Sequence, residues 1–574
     1  MKYIEKYNEW INNPYFDEVT KEELLSIKEN EKEIEDRFFK ELEFGTGGLR
    51  GVIGAGTNRM NKYIVRKATQ GLANYILKEV KDAANKGVVI AYDSRHKSPE
   101  FAKEAALVLN GNGIKAYLFE SLRTTPELSF SVRELGCAAG IVITASHNPP
   151  EYNGYKVYGE DGGQLVPRFA NMVIDEIRKI NDFSEVKYLD EKEALDKGLL
   201  KIIGEEIDKK YIDRVKSLVM RKDVIEEMKD FKIVYTPLHG TGAMPVKRVL
   251  SEIGFENVIV VPEQEIADSN FSTVKSPNPE EHDAFELAIK LAEREKADII
   301  IGTDPDCDRV GAVVKNDDGE YVVLTGNQTG ALLVDYILSS IETIPENSVV
   351  VKTIVTSELG AVVAKSYGVD TINTLTGFKF IGEKIKEFEE TGDKNFIFGY
   401  EESYGYLAGT FVRDKDGVIS SMLIAEMAAY YKSKGMTLLD ALKDIYKKYG
   451  YYKEDLKSIT LKGKEGLEKI GRIMDTLRNE PPLMIEDLRV RVISDYKEGK
   501  SKDILSNTEK LVDLPKSNVL HFTLEDGSWF AVRPSGTEPK IKLYFSAVAD
   551  SEEKAVEKLN MVKEFMLNKI DEIE

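Results

Sequence analysis

Cysteine is nearly absent from this 574-residue chain: Cys137 and Cys307 are too few for a disulfide framework and suit a reducing compartment. Long apolar runs are missing as well. Every candidate is interrupted before the ~18 residues of a membrane span, as Asp335 interrupts ALLVDYIL, and the N-terminus MKYIEKYNEWINNPYFDEVTKEELL has no apolar signal core. A cytoplasmic location is therefore expected. Positive charge is in deficit, with a net charge of -20, so nucleic acid and anionic membrane are poor partners and an anionic substrate must meet a locally basic pocket. No GxSxG occurs, which counts against a hydrolase nucleophile elbow. In FGTGGLRGVIGAG, Arg50 stands where a dinucleotide fingerprint needs its third glycine, and a helical pattern precedes the segment instead of a strand. Arg50 on a glycine-rich loop suits an anion instead, or else the segment is only a tight turn.

What remains is ordinary globular material. Hydrophobic residues at 42% and charged residues at 31% leave enough apolar surface to fold, and the length favours roughly three to five domains of ~100 to 200 residues. Residues 1 to about 43 read as amphipathic helices packed on the main body, with no chemistry of their own. Three later segments repeat strand, polar loop, helix, glycine, strand: VVIAYDSRHKSPEFAKEAALVLNGNGIKAYLF, FKIVYTPLHGTGAMPVKRVLSEIGFENVIVV and VVVKTIVTSELGAVVAKSYGVDTIN. Such alternation argues for three related mixed α/β domains. After about Gly450 a charged helix pattern, scattered strands and a closing helix from near Ser551 indicate a separate α+β domain. Breaks near 207, 320 and 448 give domains 1–207, 208–320, 321–448 and 449–574.

Five strings carry candidate chemistry. In IVITASHNPPEYNGYKVYGEDGGQL a strand gives way at Ser146 to a polar loop, which should expose a positioned hydroxyl. Serine is a weak nucleophile unless a base or cation assists, so His147, Lys156 and any nearby metal matter. A plain Ser-His-Asn turn is the alternative. In ADIIIGTDPDCDRVGAVV a buried strand leads into Asp304, Asp306 and Asp308. Spacing of i, i+2, i+4 on an extended segment turns three carboxylates to one side. Two like charges ~4 Å apart repel by about 4 kcal/mol at an effective dielectric of ~20, so the cluster wants a divalent cation. An EF-hand is excluded by Arg309 and Lys315 where glycine and glutamate are needed. All-oxygen ligands favour magnesium over zinc, with Cys307 on the other face as a small filler.

WFAVRPSGTEPKIKLYF offers the Arg533 fork, the Ser535 and Thr537 hydroxyls and backbone donors around Gly536, a set able to hold a phosphate. A simple turn between two strands is equally compatible. FIFGYEESYGYL places Glu401 and Ser403 where they could accept from and donate to sugar hydroxyls, although alone it is a weak motif.

TASHNP, DPDCDR, GYEES and RPSGT, with GTGGLRG before them, resemble the α-D-phosphohexomutase family in content and order, from about Phe44 to Phe545. The resemblance implies three α/β domains and a TATA-binding-protein-like fourth around a central cleft, and transfer of a phosphoryl group between the 1- and 6-positions of a hexose phosphate through a bisphosphate. It implies a phosphorylated Ser146, with magnesium held by the phosphoserine, Asp304, Asp306 and Asp308. Arg50, His147, Lys156 and Arg309 would line the transfer site, with Lys156 the candidate for proton transfer. Glu401 and Ser403 would bind sugar hydroxyls, Arg533, Ser535, Gly536 and Thr537 the distal phosphate, and Thr376, Gly377 and Lys415 further parts of the substrate. Glucose 1,6-bisphosphate would serve as intermediate and activator.

The loop continuing as SYGY is closer to a glucose-type EESFG than to GEMSGH, while the leader and GTGGLRG look like the subgroup of bacterial phosphoglucomutases and animal phosphopentomutases. Mannose and pentose phosphates stay open, as do a metal-dependent sugar phosphatase, a non-catalytic sugar-phosphate binder and the oligomeric state.

Overall fold

The β-branched run VVIAY forms the strand Val88–Tyr92, polar DSRHK breaks it, and the helix Ser98–Gly111 follows with Pro99 in its first turn, where a missing N–H costs nothing. Ala116–Phe119 then returns parallel to the first strand. The computed structural model describes residues 2–45, 47–461, 463–535 and 540–573. They fall into two compact units, Met1–Val349 with Phe378–Thr437, and Val350–Gly377 with Leu438–Glu574.

The first unit holds two mixed sheets. One is six-stranded, in the order Gly48–Val52, Tyr152–Gly159, Ala139–Ile143, Val88–Tyr92, Ala116–Phe119, Leu200–Ile203, and its first two strands run antiparallel to their neighbours. The other is five-stranded, in the order Tyr321–Val323, Val310–Lys315, Ile299–Thr303, Lys232–Thr236, Asn257–Val260, with the last three parallel. The chain enters the metal-motif loop where Ile299–Thr303 ends and leaves it antiparallel along Val310–Lys315, so the loop sits at a sheet end. The antiparallel hairpin of Asn395–Glu401 and Gly405–Ala408 also belongs to this unit.

The leader forms three helices, Lys2–Asn12, Glu18–Ser26 and Glu31–Phe38. Trp10, 2% exposed, stacks on Phe16 at 4.2 Å and meets Phe38 and Tyr63 edge-on. Tyr63 lies on the helix Lys62–Glu79, so the aromatic cluster fastens the leader to the first sheet's domain. Glu23 accepts from the Ala55 N–H and Arg37 donates to the Ala55 carbonyl, pinning the turn that follows the Arg50 strand. Trp10→Ala should therefore lower unfolding stability by about 3 to 5 kcal/mol, read in the urea transition by tryptophan-independent circular dichroism.

In the second unit an antiparallel eight-stranded sheet shares one core with the helices Gly463–Asn479 and Glu552–Asp571. Ser551 caps the latter, accepting from the Lys554 N–H. Among the described residues no helix is long and apolar enough to cross a membrane. Cys137 and Cys307 are both buried with free thiols, and burial pushes the Cys137 thiol up to about 12.

Candidate active site

Ser146 lies three residues beyond the strand Ala139–Ile143, in left-handed backbone with φ +53°, and its N–H is tied to Thr144 Oγ1 at 2.8 Å. The hydroxyl was expected to be exposed, but Ser146 is buried, with only 3% of the residue accessible. The reason is a partner 158 positions away: Ser146 Oγ donates to Asp304 Oδ2 at 2.7 Å, and its other neighbour is His147 Nδ1 at 3.1 Å.

The three aspartates do converge, with one ligand oxygen of each within 4.8 Å of the others. An extended segment is not what gathers them. Residues 304–309 form a turn in which Asp304 Oδ1 accepts the N–H groups of Asp308 and Arg309, at 3.0 and 2.9 Å, and Cys307 takes φ +56°. Short aspartate side chains compete well for such local N–H groups, which is why the strand stops there. Asp306 Oδ1 and Asp308 Oδ1 are buried without hydrogen-bond partners. Orphaned carboxylate oxygens in a dry cluster fit a hard divalent cation.

Cations of the protein already lean on this cluster. Lys156 Nζ reaches Asp306 at 2.7 Å and Asp308 at 3.4 Å, and Lys415 Nζ reaches Asp308 at 3.1 Å. Lys415 passes over Gly405, where a Cβ would lie 2.0 Å from Lys415 Cδ, so only glycine leaves this path open. Burial and repulsion from Asp306 and Asp308 push the Asp304 carboxyl well above the usual range. Burial also opposes charge on Asp306, but the Lys156 ammonium outweighs it and holds that carboxyl down. Burial lowers the pKa of Lys156 less than Asp306 and Asp308 raise it, so the side chain is held as an ammonium. His147 is pushed well below its ordinary value by burial and by Arg309 and Arg50, leaving a neutral imidazole.

Arg50 is on the strand Gly48–Val52 and not on a glycine loop: antiparallel pairing with Tyr152–Gly159 sets it opposite Gly154. Its guanidinium donates to Asn148 Oδ1 at 3.3 Å, beside the serine turn. Arg309 is paired with Glu280. Glu401 ends its strand 4% exposed, Ser403 lies in the hairpin turn, and the Tyr404 carbonyl accepts the Val310 N–H at 3.0 Å, joining this hairpin to the strand leaving the aspartates.

Thus Arg50, Ser146, His147, Lys156, Asp304, Asp306, Asp308, Arg309, Glu401, Ser403 and Lys415 all belong to the first unit. Thr376, Gly377, Arg533 and Ser535 belong to the second. There Gly377 takes φ +118°, Arg533 lies opposite Lys542, and the Ser535 N–H donates to the Lys540 carbonyl at 2.7 Å. Gly536 and Thr537 lie outside the described residues.

Two contributors escaped the sequence reading. Thr125 Oγ1 donates to Asp306 Oδ2 at 2.9 Å across 181 positions, and nothing in its local sequence marks that. Arg95 grips the serine turn, and its signal was the polar break DSRHK at a strand end.

Comparison with known proteins finds relatives over most of the chain. Four family models match in sequence order: phosphoglucomutase/phosphomannomutase α/β/α domain I over residues 41–183, domain II over 209–319, domain III over 325–449 and the C-terminal domain over 488–563. A phosphoglucomutase of Staphylococcus haemolyticus is 42% identical over 517 residues, covering 90% of this chain and 92% of its own. One of Staphylococcus aureus is 39% identical over 525 residues, covering 92% and 93%. Among solved structures, Paramecium parafusin, a phosphoglucomutase in open form, superimposes with TM-score 0.69 at 18% identity, covering 92% of this chain and 95% of its own. A phosphoglucomutase/phosphomannomutase family protein of Burkholderia thailandensis gives TM-score 0.66 at 18% identity, covering 92% and 97%.

Proposed function

The chain belongs to the phosphoglucomutase/phosphomannomutase family, and from that premise we infer that it interconverts α-D-glucose 1-phosphate and glucose 6-phosphate, an intramolecular phosphotransfer. The observation that supports this most is the meeting of Ser146 Oγ with a buried three-aspartate cluster from a distant part of the sequence. A hydroxyl that shuttles a phosphoryl group needs charge neutralisation and in-line positioning more than any further covalent help.

In this reading Ser146 carries the phosphoryl group. It passes the group to one hydroxyl of the sugar monophosphate, giving glucose 1,6-bisphosphate, and regains one from the other end after the intermediate turns around. Mg²⁺ bound by Asp304, Asp306, Asp308 and the phosphoserine would neutralise charge developing on the transferred group. Arg50 and Arg309 steady the transferring oxygens. When Ser146 takes a phosphoryl group from the bisphosphate, Lys156, held as an ammonium, donates a proton to the departing sugar oxygen and His147, at hydrogen-bond distance from Ser146 Oγ, receives the serine proton; transfer from phosphoserine to the sugar hydroxyl moves the same two protons in reverse. Glu401, Ser403, Lys415, Thr376 and Gly377 hold the sugar. Arg533, Ser535, Gly536 and Thr537 hold the phosphate not being transferred, through donors that accept either end of the bisphosphate. Domains 1–207, 208–320, 321–448 and 449–574 each supply one of these loops.

The test is incubation with glucose 1-phosphate, Mg²⁺ and catalytic glucose 1,6-bisphosphate, following glucose 6-phosphate and free phosphate together. Isomer formation with little phosphate release is expected. Continuous phosphate release would identify a phosphatase, and binding without turnover a carrier. Across sugars, kcat/KM should be highest for glucose 1-phosphate over mannose 1-phosphate and ribose 1-phosphate; a preference for either rival would move the assignment within the family.

A further inference from the structure

The serine turn is held from behind by one residue that faces no solvent. The Arg95 side chain is 0% exposed, and its guanidinium donates to the carbonyls of Pro149 at 2.8 Å and Tyr152 at 3.1 Å, and to those of Ser146 and Asn148. Four carbonyls of one turn thus converge on one planar fork. The fork is itself aimed: Asp93 pairs with Arg95 Nε at 3.3 Å and accepts the Arg95 N–H at 2.9 Å, while Ser98 Oγ fixes Asp93 at 2.7 Å. The guanidinium also lies 4.9 Å from the ring centre of Phe271, which is 1% exposed and comes from the domain that carries the aspartates. Flanking bonds repeat the connection, from Ser269 Oγ to the Ser94 carbonyl at 2.8 Å and between His96 Nε2 and Asn270 Oδ1 at 2.7 Å.

We propose that Arg95 is a positioning residue for phosphoryl transfer: it locks the turn that keeps Ser146 in left-handed backbone, and through Phe271 it fixes that turn relative to the aspartate cluster. The proposal rests on Ser146 being the phosphoryl carrier. A non-glycine residue at positive φ persists only where its surroundings over-determine it, and here the surroundings are a fork that binds carbonyls. Lysine would keep the charge but, lacking the planar fork, could not span four acceptors. The guanidinium's hydrogen bonds go to backbone carbonyls and not to Ser146 Oγ, so its loss should misplace the nucleophile without weakening sugar-phosphate binding.

The experiment compares the full-length wild type with Arg95→Lys and Phe271→Leu. It measures steady-state kcat and KM for glucose 1-phosphate, the rate at which glucose 1,6-bisphosphate phosphorylates Ser146 by intact-mass and peptide mass spectrometry, and the folded fraction by circular dichroism. Arg95→Lys is expected to lower kcat and the Ser146 phosphorylation rate together by about 100-fold, with KM within about threefold, per folded molecule. Phe271→Leu, which leaves the hydrogen bonds intact, is expected to lower both about three- to tenfold. Retention of half or more of the wild-type kcat by folded Arg95→Lys overturns the proposal, as does a rise in KM with kcat unchanged. If Arg95→Lys does not fold, an unchanged phosphorylation rate in Phe271→Leu overturns it. Absence of phosphate on Ser146 in the wild type is a separate failure, of the underlying assignment.

Discussion

Replacing Ser146 by alanine is expected to lower isomerisation by at least about 10⁴-fold, because under the proposed mechanism the variant loses the covalent carrier and not merely a contact. Two hydroxyls close to the site are engaged elsewhere. Thr144 Oγ1 is occupied by the Ser146 N–H, and Thr125 Oγ1 is committed to Asp306. Stability should change far less: alanine inherits the same backbone strain, and the main loss is the Oγ to Asp304 hydrogen bond, worth about 1 to 3 kcal/mol where it leaves a buried acceptor. The check is a coupled glucose 6-phosphate assay beside a thermal melt, with mass spectrometry to verify that no phosphate is acquired at position 146. Full activity in a folded Ser146→Ala protein would end the phosphoserine account.

Stripping divalent cations with a chelator is expected to cut activity by about 100-fold or more, with recovery on adding Mg²⁺, while the fold survives. Survival follows from Lys156 and Lys415, whose ammonium groups already lie against Asp306 and Asp308. Those lysines cannot replace a cation in catalysis, since each bears one charge and Asp306 Oδ1 and Asp308 Oδ1 are left without partners beside them. Asp306→Asn separates the two roles. The amide oxygen can still accept from Lys156 and Thr125, but the negative charge that recruits a dication is gone, so activity should fall to a level that saturating Mg²⁺ does not restore. Isothermal titration with Mg²⁺ and the activity assay together test this. Undiminished turnover after metal removal, verified by elemental analysis, would remove the aspartates from the mechanism.

The serine loop, the aspartate cluster and the α/β repeats were legible because each is written locally, as an apolar strand that stops at a run of polar residues. The conformations were not. Ser146 reads as an exposed strand-end hydroxyl, and only the tertiary partner Asp304 makes it buried. Asp304, Asp306 and Asp308 read as alternating residues on extended backbone, but side chain to backbone hydrogen bonds within the segment curl it into a turn that still gathers the carboxylates. Arg50 reads as part of a glycine loop, and sheet pairing makes it a strand residue. Arg95 and Thr125 were least legible, since they act on carbonyls and carboxylates distant in sequence and leave no spacing pattern. The leader was legible as helical, yet its attachment through Trp10 and Tyr63 needed the structure.

Both native thiols are sealed in the interior, Cys137 at 1% and Cys307 at 0% accessibility, and burial keeps each protonated near neutral pH. A maleimide added to the folded chain therefore finds nothing to alkylate. A single cysteine introduced at an open site, such as Leu511 at 85% exposure, would take up one fluorophore at one known place without any native residue having to be removed first.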